Sequence, residues 1–163
     1  MKDEETGDDE EDWVRFHALW TQLRVFTGRA AEAAASLLEA EARGQLPAET
    51  AARLRSDALE EADDLPGAAA EAVRALDAAR EASEPLDPEE VLRAAALLSA
   101  AGDDAAADAQ LTAALPAIDA LAAEEPDPEE RKGLEEAAAR MRAALEEPRK
   151  DGQERLVPLG RKR

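Results

Sequence analysis

Proline and glycine interrupt this chain at nearly regular intervals, and the stretches between them are dominated by Ala, Leu, Glu and Arg, the residues that lose least on entering a helix. Gly28, Gly44 with Pro47, Pro66, Pro88, Gly102 and Pro128 stand where helices end or begin. Glycine accepts the left-handed backbone that closes a helix, and proline's fixed φ suits a first turn. The spacing predicts helices over roughly 12–27, 29–43, 47–64, 66–83, 88–101, 104–124 and 128–147. β-branched residues are sparse and no period-two alternation persists, so no strand is expected. The expected fold is all-α, an Ala-rich antiparallel helical bundle or helical-hairpin array of six to seven helices whose small side chains allow close approach. At 163 residues a single helical domain over 12–147 is expected, after a disordered acidic leader at 1–11 and before a flexible basic tail at 148–163.

Local signals sharpen two of the starts. Asp87 and Glu90 form a capping pair around Pro88, with Val91, Leu92, Ala95 and Leu98 on one face and Gly102 as the stop. The same Asp-Pro-Glu-Glu returns at 127–130, ahead of Leu134, Ala138, Met141 and Leu145. Acids at Glu60, Glu61, Asp63 and Asp64, and at Asp103 and Asp104, read as caps at helix junctions. Inside the sixth segment Pro116 lacks a donor and clashes with the preceding turn, so a kink or break is expected near 112–116. Segment 88–121 resembles one tetratricopeptide hairpin, with Val91, Ala95, Leu98, Gly102, Ala107, Leu111 and Ala114 where that family places its packing residues. The resemblance implies a helical hairpin and transfers no site. Asp119 stands where the family has a proline, and nothing recurs at its 34-residue period.

All four aromatic residues lie within 14 positions, Trp13, Phe16, Trp20 and Phe26. At about 100° per residue they gather with Leu19 and Leu23 into one stripe roughly 140° wide. One helix thus carries the richest burial capacity of the chain. Phe16 and Trp20 are expected in the core, while Trp13, beside the acidic leader, stands between core and interface. Val14 and Val25 form a weaker apolar strip opposite the stripe, which a one-sided surface helix would not need; it hints at contact on both sides, with a second subunit or homo-oligomer as one explanation.

The formal charge of −19 is spread unevenly: −7 in residues 1–12, −16 in the middle and +4 in 148–163. Such a body repels phosphate backbones, so it is not expected to bind nucleic acid directly, and it attracts basic partners. The chain has no Cys, Asn or Tyr, one Ile, and sixteen Arg to four Lys, the usage of a GC-rich genome. The acid excess points to a salt-rich cytoplasm, with a GC-rich actinobacterium as the competing source. Neither a signal-peptide pattern nor an apolar run of membrane-spanning length is present, and a cytoplasmic location is expected.

No motif carries catalysis or a cofactor. His17 is the sole histidine and reads as an amphipathic edge residue, since a catalytic or metal role needs further groups from other helices. Without Cys there are no thiolate sites; Glu-x-x-His pairs, calcium loops and glycine-rich phosphate loops are missing, and Ser36, Ser56, Ser83 and Ser99 have no histidine partner. No enzymatic activity, metal or cofactor is expected. The basic tail admits three readings: a charge-balancing end, a docking peptide with Leu156, Val157 and Leu159 as anchors beside Arg161, Lys162 and Arg163, or a lipid-surface contact. Its charge also allows it to fold back on the acidic body. Together these features suggest a non-catalytic accessory or adaptor protein acting through helix-face contacts with a protein partner, with Trp13, Phe16, Trp20, Phe26 and the tail anchors as candidate contacts. The alternative is an acidic decoy that mimics nucleic acid and occupies basic surfaces of other proteins.

Overall fold

A computed structural model describes residues 5–147, with side chains from Asp12 onward. The described chain is all-α, as its propensities require, with seven helices and no strand: α1 Glu5–Phe26, α2 Ala30–Ala42, α3 Ala48–Glu61, α4 Leu65–Glu81, α5 Pro88–Ala100, α6 Asp104–Glu124 and α7 Pro128–Glu146. Among the described residues, no helix is long and apolar enough to cross a membrane.

The junctions repeat one chemistry. Asp87 accepts from the Glu89 amide, Asp127 from those of Glu129 and Glu130, Asp103 from Ala106 and Asp64 from Gly67, so a carboxylate caps four helix starts. The helix ends close by the bond pattern that needs one left-handed residue. The Arg29, Gln45 and Asp103 amides reach back to the carbonyls of Arg24, Ala40 and Leu98 across Gly28, Gly44 and Gly102, all at positive φ. Asp63 and Ser83 take the same conformation without being glycine, at φ 59° and 57°.

Two elements depart from the expectation. α1 begins at Glu5, so residues 5–11 of the leader are helical; Thr6, Gly7, Asp8 and Asp9 are weak helix formers, but acids at a helix N-terminus favour its dipole, and beyond a formed helix each added residue needs only its own backbone bond. α6 runs unbroken through Pro116, so the expected break is not found. Both Pro116 and Thr112, whose carbonyl loses its donor, are exposed, and water can satisfy that carbonyl.

The chain divides into two compact units, Met1–Ala78 and Ala79–Arg163, with the boundary inside α4. In the first, α1 lies on the α2–α3 pair. Val14 packs on Leu37, Ala40, Leu46 and Ala51, with Leu54, and Val25 packs with Leu59 on Ala33, Ala34 and Ala58. The start of α4 is tied down by polar contacts. The buried Ser56 hydroxyl donates to the Ala68 carbonyl at 2.8 Å, and Arg74 forks onto Glu41 at 2.7 and 2.9 Å while also bonding Glu71, which takes Arg55 at 3.0 Å. The Glu41 hydrogen bonds hold the Arg74 guanidinium in its charged form, raising its pKa.

In the second unit α6 turns one stripe inward, Ala107, Leu111, Ala114, Ile118 and Ala122. It pairs with α5 on one side and α7 on the other, where Ala137, Ala138 and Met141 are buried. Arg140 pairs with Glu89 and Arg142 with Asp119, joining α7 to α5 and α6. The six packing positions of the tetratricopeptide-like hairpin are all buried around the Gly102 turn.

Candidate functional site: the outer face of α1

α1 is apolar on two nearly opposite sides, and the core takes the slimmer one. Val14, His17, Thr21 and Val25, spaced three and four residues apart, turn toward the fold; His17 and Thr21 are buried and the two valines partly so. The other side holds Trp13, Phe16, Leu19, Trp20, Leu23 and Phe26, all exposed, from 39% at Trp20 to 90% at Phe26. The core expectation for Phe16 and Trp20 is therefore overturned. The reason lies in the opposing helices: α2 and α3 present largely alanine beneath α1, and a seam that shallow receives valine and threonine but not a row of indole and phenyl rings.

The rings stack along the helix. Trp13 meets Phe16 edge-on at 5.9 Å, Phe16 lies parallel to Trp20 at 6.3 Å, and the Arg24 guanidinium sits 4.9 Å over the Trp20 ring. Arg24 is itself held by the Ser36 hydroxyl at 2.7 Å and the Glu32 carbonyl at 3.1 Å, so the end of the row is anchored to α2. At about 200 Å² per ring, the four aromatic side chains alone leave on the order of 450 Å² uncovered. With the two leucines, this stands at or above the largest apolar patch of a typical monomer.

His17 sits under this row, 8% exposed, stacked on Trp13 at 5.7 Å and edge-on to Phe16 at 5.3 Å. No hydrogen bond of good geometry reaches either ring nitrogen. Burial lowers its pKa below the ordinary histidine value, and the Gln45 amide opposes part of that shift. With the folded pKa depressed, the unfolded chain binds the proton first as pH falls. The stability contributed by neutral His17 is complete above about pH 6.5 and is lost as pH drops below it toward the folded pKa. Urea unfolding at pH 7.5 and 5.5 should show this loss in the parent and a smaller one in His17→Leu. Equal losses in the two proteins would assign the pH dependence to other groups.

Other polar groups serve the fold. Ser36 accepts from Arg24, Ser56 bonds Ala68, and Ser99 donates to Asp104 at 2.7 Å. Among the described residues no three His, Asp or Glu side chains come together as a metal site needs. Leu156, Val157, Leu159, Arg161, Lys162 and Arg163 lie outside the described residues. The signal for an outward-facing stripe was present in the sequence as the second strip, Val14 and Val25, which is the side that packs.

Comparison with protein-family models, with curated proteins and with solved structures gave no match to this chain.

Proposed function

We propose that this chain is a cytoplasmic, non-catalytic adaptor that docks a protein partner on the outer face of α1. The observation that carries this reading is the exposed aromatic row on a helix already anchored through its opposite side. Large apolar groups in one contiguous row are the usual makings of an interface centre, and tryptophan is enriched among the residues that dominate binding energy. Covering about 450 Å² of ring surface yields roughly 11 kcal/mol before association costs of about 4 to 15 kcal/mol, which suits a reversible contact.

The test is Phe16→Ser with Leu23→Ser, two outward substitutions. Helix content and melting should be preserved, while at least one protein recovered from native extract with the parent is lost. Recovery of the same partners by the double variant would remove the docking face from consideration.

The decoy reading finds less support. Arginines punctuate the acids on helix after helix, as in Arg29 with Glu32, Arg43 with Glu39, Arg53 with Glu49 and Arg142 with Asp119, which interrupts any pair of continuous acid rows. The remaining charge accords better with adaptation to salt. Raising KCl from about 0.1 M to about 1 M shortens the screening length from about 10 Å to about 3 Å and relieves self-repulsion. The thermal midpoint should rise in molar KCl; a lower or unchanged midpoint would count against salt adaptation.

A further inference from the structure

We propose that the outer face of α1 takes a second copy of this chain, α1 against α1 in antiparallel sense about a two-fold axis. This rests on the docking reading and names its partner. Nothing among the described residues covers the stripe, and apart from Leu38 every exposed large hydrophobic side chain among them belongs to it. The α2–α3 pair packs on the opposite side of the helix and leaves this face open.

The spacing of the stripe points to the occupant. Trp13, Phe16, Leu19, Trp20, Leu23 and Phe26 read the same from either end: 13 and 26, 16 and 23, and 19 and 20 are equidistant from a point between Leu19 and Trp20. A two-fold axis through that point sets every stripe residue level with a stripe residue of the second copy, Trp13 with Phe26, Phe16 with Leu23 and Leu19 with Trp20. No other antiparallel register does this for all six. In four of the six layers a ring meets a leucine, so large and small side chains share the space across the seam. A parallel pair would set ring on ring at 13, 16, 20 and 26 and leucine on leucine at 19 and 23.

Charge selects the same direction. Residues 5–12 hold six acids and no base, whereas residues 13–29 hold Arg15, Arg24 and Arg29 and no acid. Parallel copies would lay the two acidic ends side by side. In the antiparallel register those ends lie about 33 Å apart at 1.5 Å per residue, several screening lengths in physiological salt, and each is level with the Arg29 end of the other copy.

The size of the face sets the strength. Two copies bring together about 900 Å² of ring surface and four leucines, near the low end of specific interfaces at about 1,200 Å². The net charge of −19 on each copy opposes the pair further. The chain is therefore monomeric at about 1 μM, and dimeric at about 0.1 mM in about 1 M KCl, where the repulsion is screened.

Sedimentation equilibrium over that range in molar KCl should take the parent from monomer to dimer, while Phe16→Ser/Leu23→Ser stays monomeric with its helix content unchanged. The chain has no cysteine, so single cysteines report the register. Under oxidation at about 0.1 mM, Leu19→Cys, beside the axis, should form an intermolecular disulfide, whereas Phe26→Cys, whose two sites lie about 20 Å apart, should not.

A parent that stays monomeric at about 0.1 mM overturns the proposal, as does a dimer that survives Phe16→Ser/Leu23→Ser. So does a disulfide through Phe26→Cys, the mark of a parallel pair, or the lack of one through Leu19→Cys. If the parent is monomeric yet the double serine variant still loses a protein from native extract, only the second copy falls and the adaptor reading stands. If no protein is lost either, both fall.

Discussion

Leu37→Ala should destabilise the first unit by about 2 to 5 kcal/mol, whereas Phe26→Ala, which removes a larger side chain, should stay within about 0.5 kcal/mol of the parent. Leu37 is fully buried among Ala40, Leu46 and Ala51, with Val14 and Leu54 against the same cluster. Ala40 and Ala51 have no side-chain freedom with which to close a cavity, while Leu46, Val14 and Leu54 can relax into part of it, so the loss belongs in the middle of that range. Phe26 is 90% exposed and has little packing to lose. Trp20→Ala is intermediate: it removes the platform under Arg24 and the stack on Phe16, which together contribute about 1 to 2.5 kcal/mol at an exposed site. Urea unfolding followed by circular dichroism measures all three. If Trp20→Ala proved as costly as Leu37→Ala, the aromatic row would be core after all, and the docking reading would lose its basis.

What was legible in the sequence was local. Asp87 and Asp127 announce their helices because a carboxylate before Pro-Glu-Glu has one geometry open to it, accepting from the amides two and three residues on. Gly28, Gly44 and Gly102 end helices because their positive φ is nearly free for glycine. What was not legible was the choice between the two apolar sides of α1. Ranked by hydrophobicity alone, the aromatic side goes inside. The choice is made by the shape of the receiving seam, and that depends on which alanines of α2 and α3 come to lie beneath α1, a tertiary fact with no local sign. The early start of α1 has no local sign for a related reason. Residues 5–11 offer nothing to bury, but their acids favour the N-terminal dipole of a helix anchored downstream at Val14 and Val25, which can then extend backward.

The shallow seam should be as intolerant of added volume as of lost volume, which leads to Ala58→Leu. Ala58 is completely buried on α3, facing Ala33 and Ala34 of α2, with Val25 of α1 and Leu59 packed at the edge of the same cluster. Three added carbons at that position have no free space to enter. Either α3 moves away from α2, breaking contacts along the pair, or the new side chain displaces Val25 and lifts α1. Overpacking of this kind costs about 1 to 3 kcal/mol in ordinary cores, and buried alanines at Ala33 and Ala34, which cannot rotate aside, place the expected loss near the top, about 3 kcal/mol. The matching control is Ala35→Leu, on the exposed side of α2, where the same three carbons should change stability by no more than about 0.5 kcal/mol. Lifting α1 would also alter the setting of Trp20 and Arg24, so tryptophan emission should change in Ala58→Leu and stay constant in Ala35→Leu. A neutral Ala58→Leu with unchanged emission would mean that α2 and α3 have slack between them. The reason given for the outward turn of the aromatic row would then fail, because a seam with room for leucine at Ala58 would also have room for larger groups from α1.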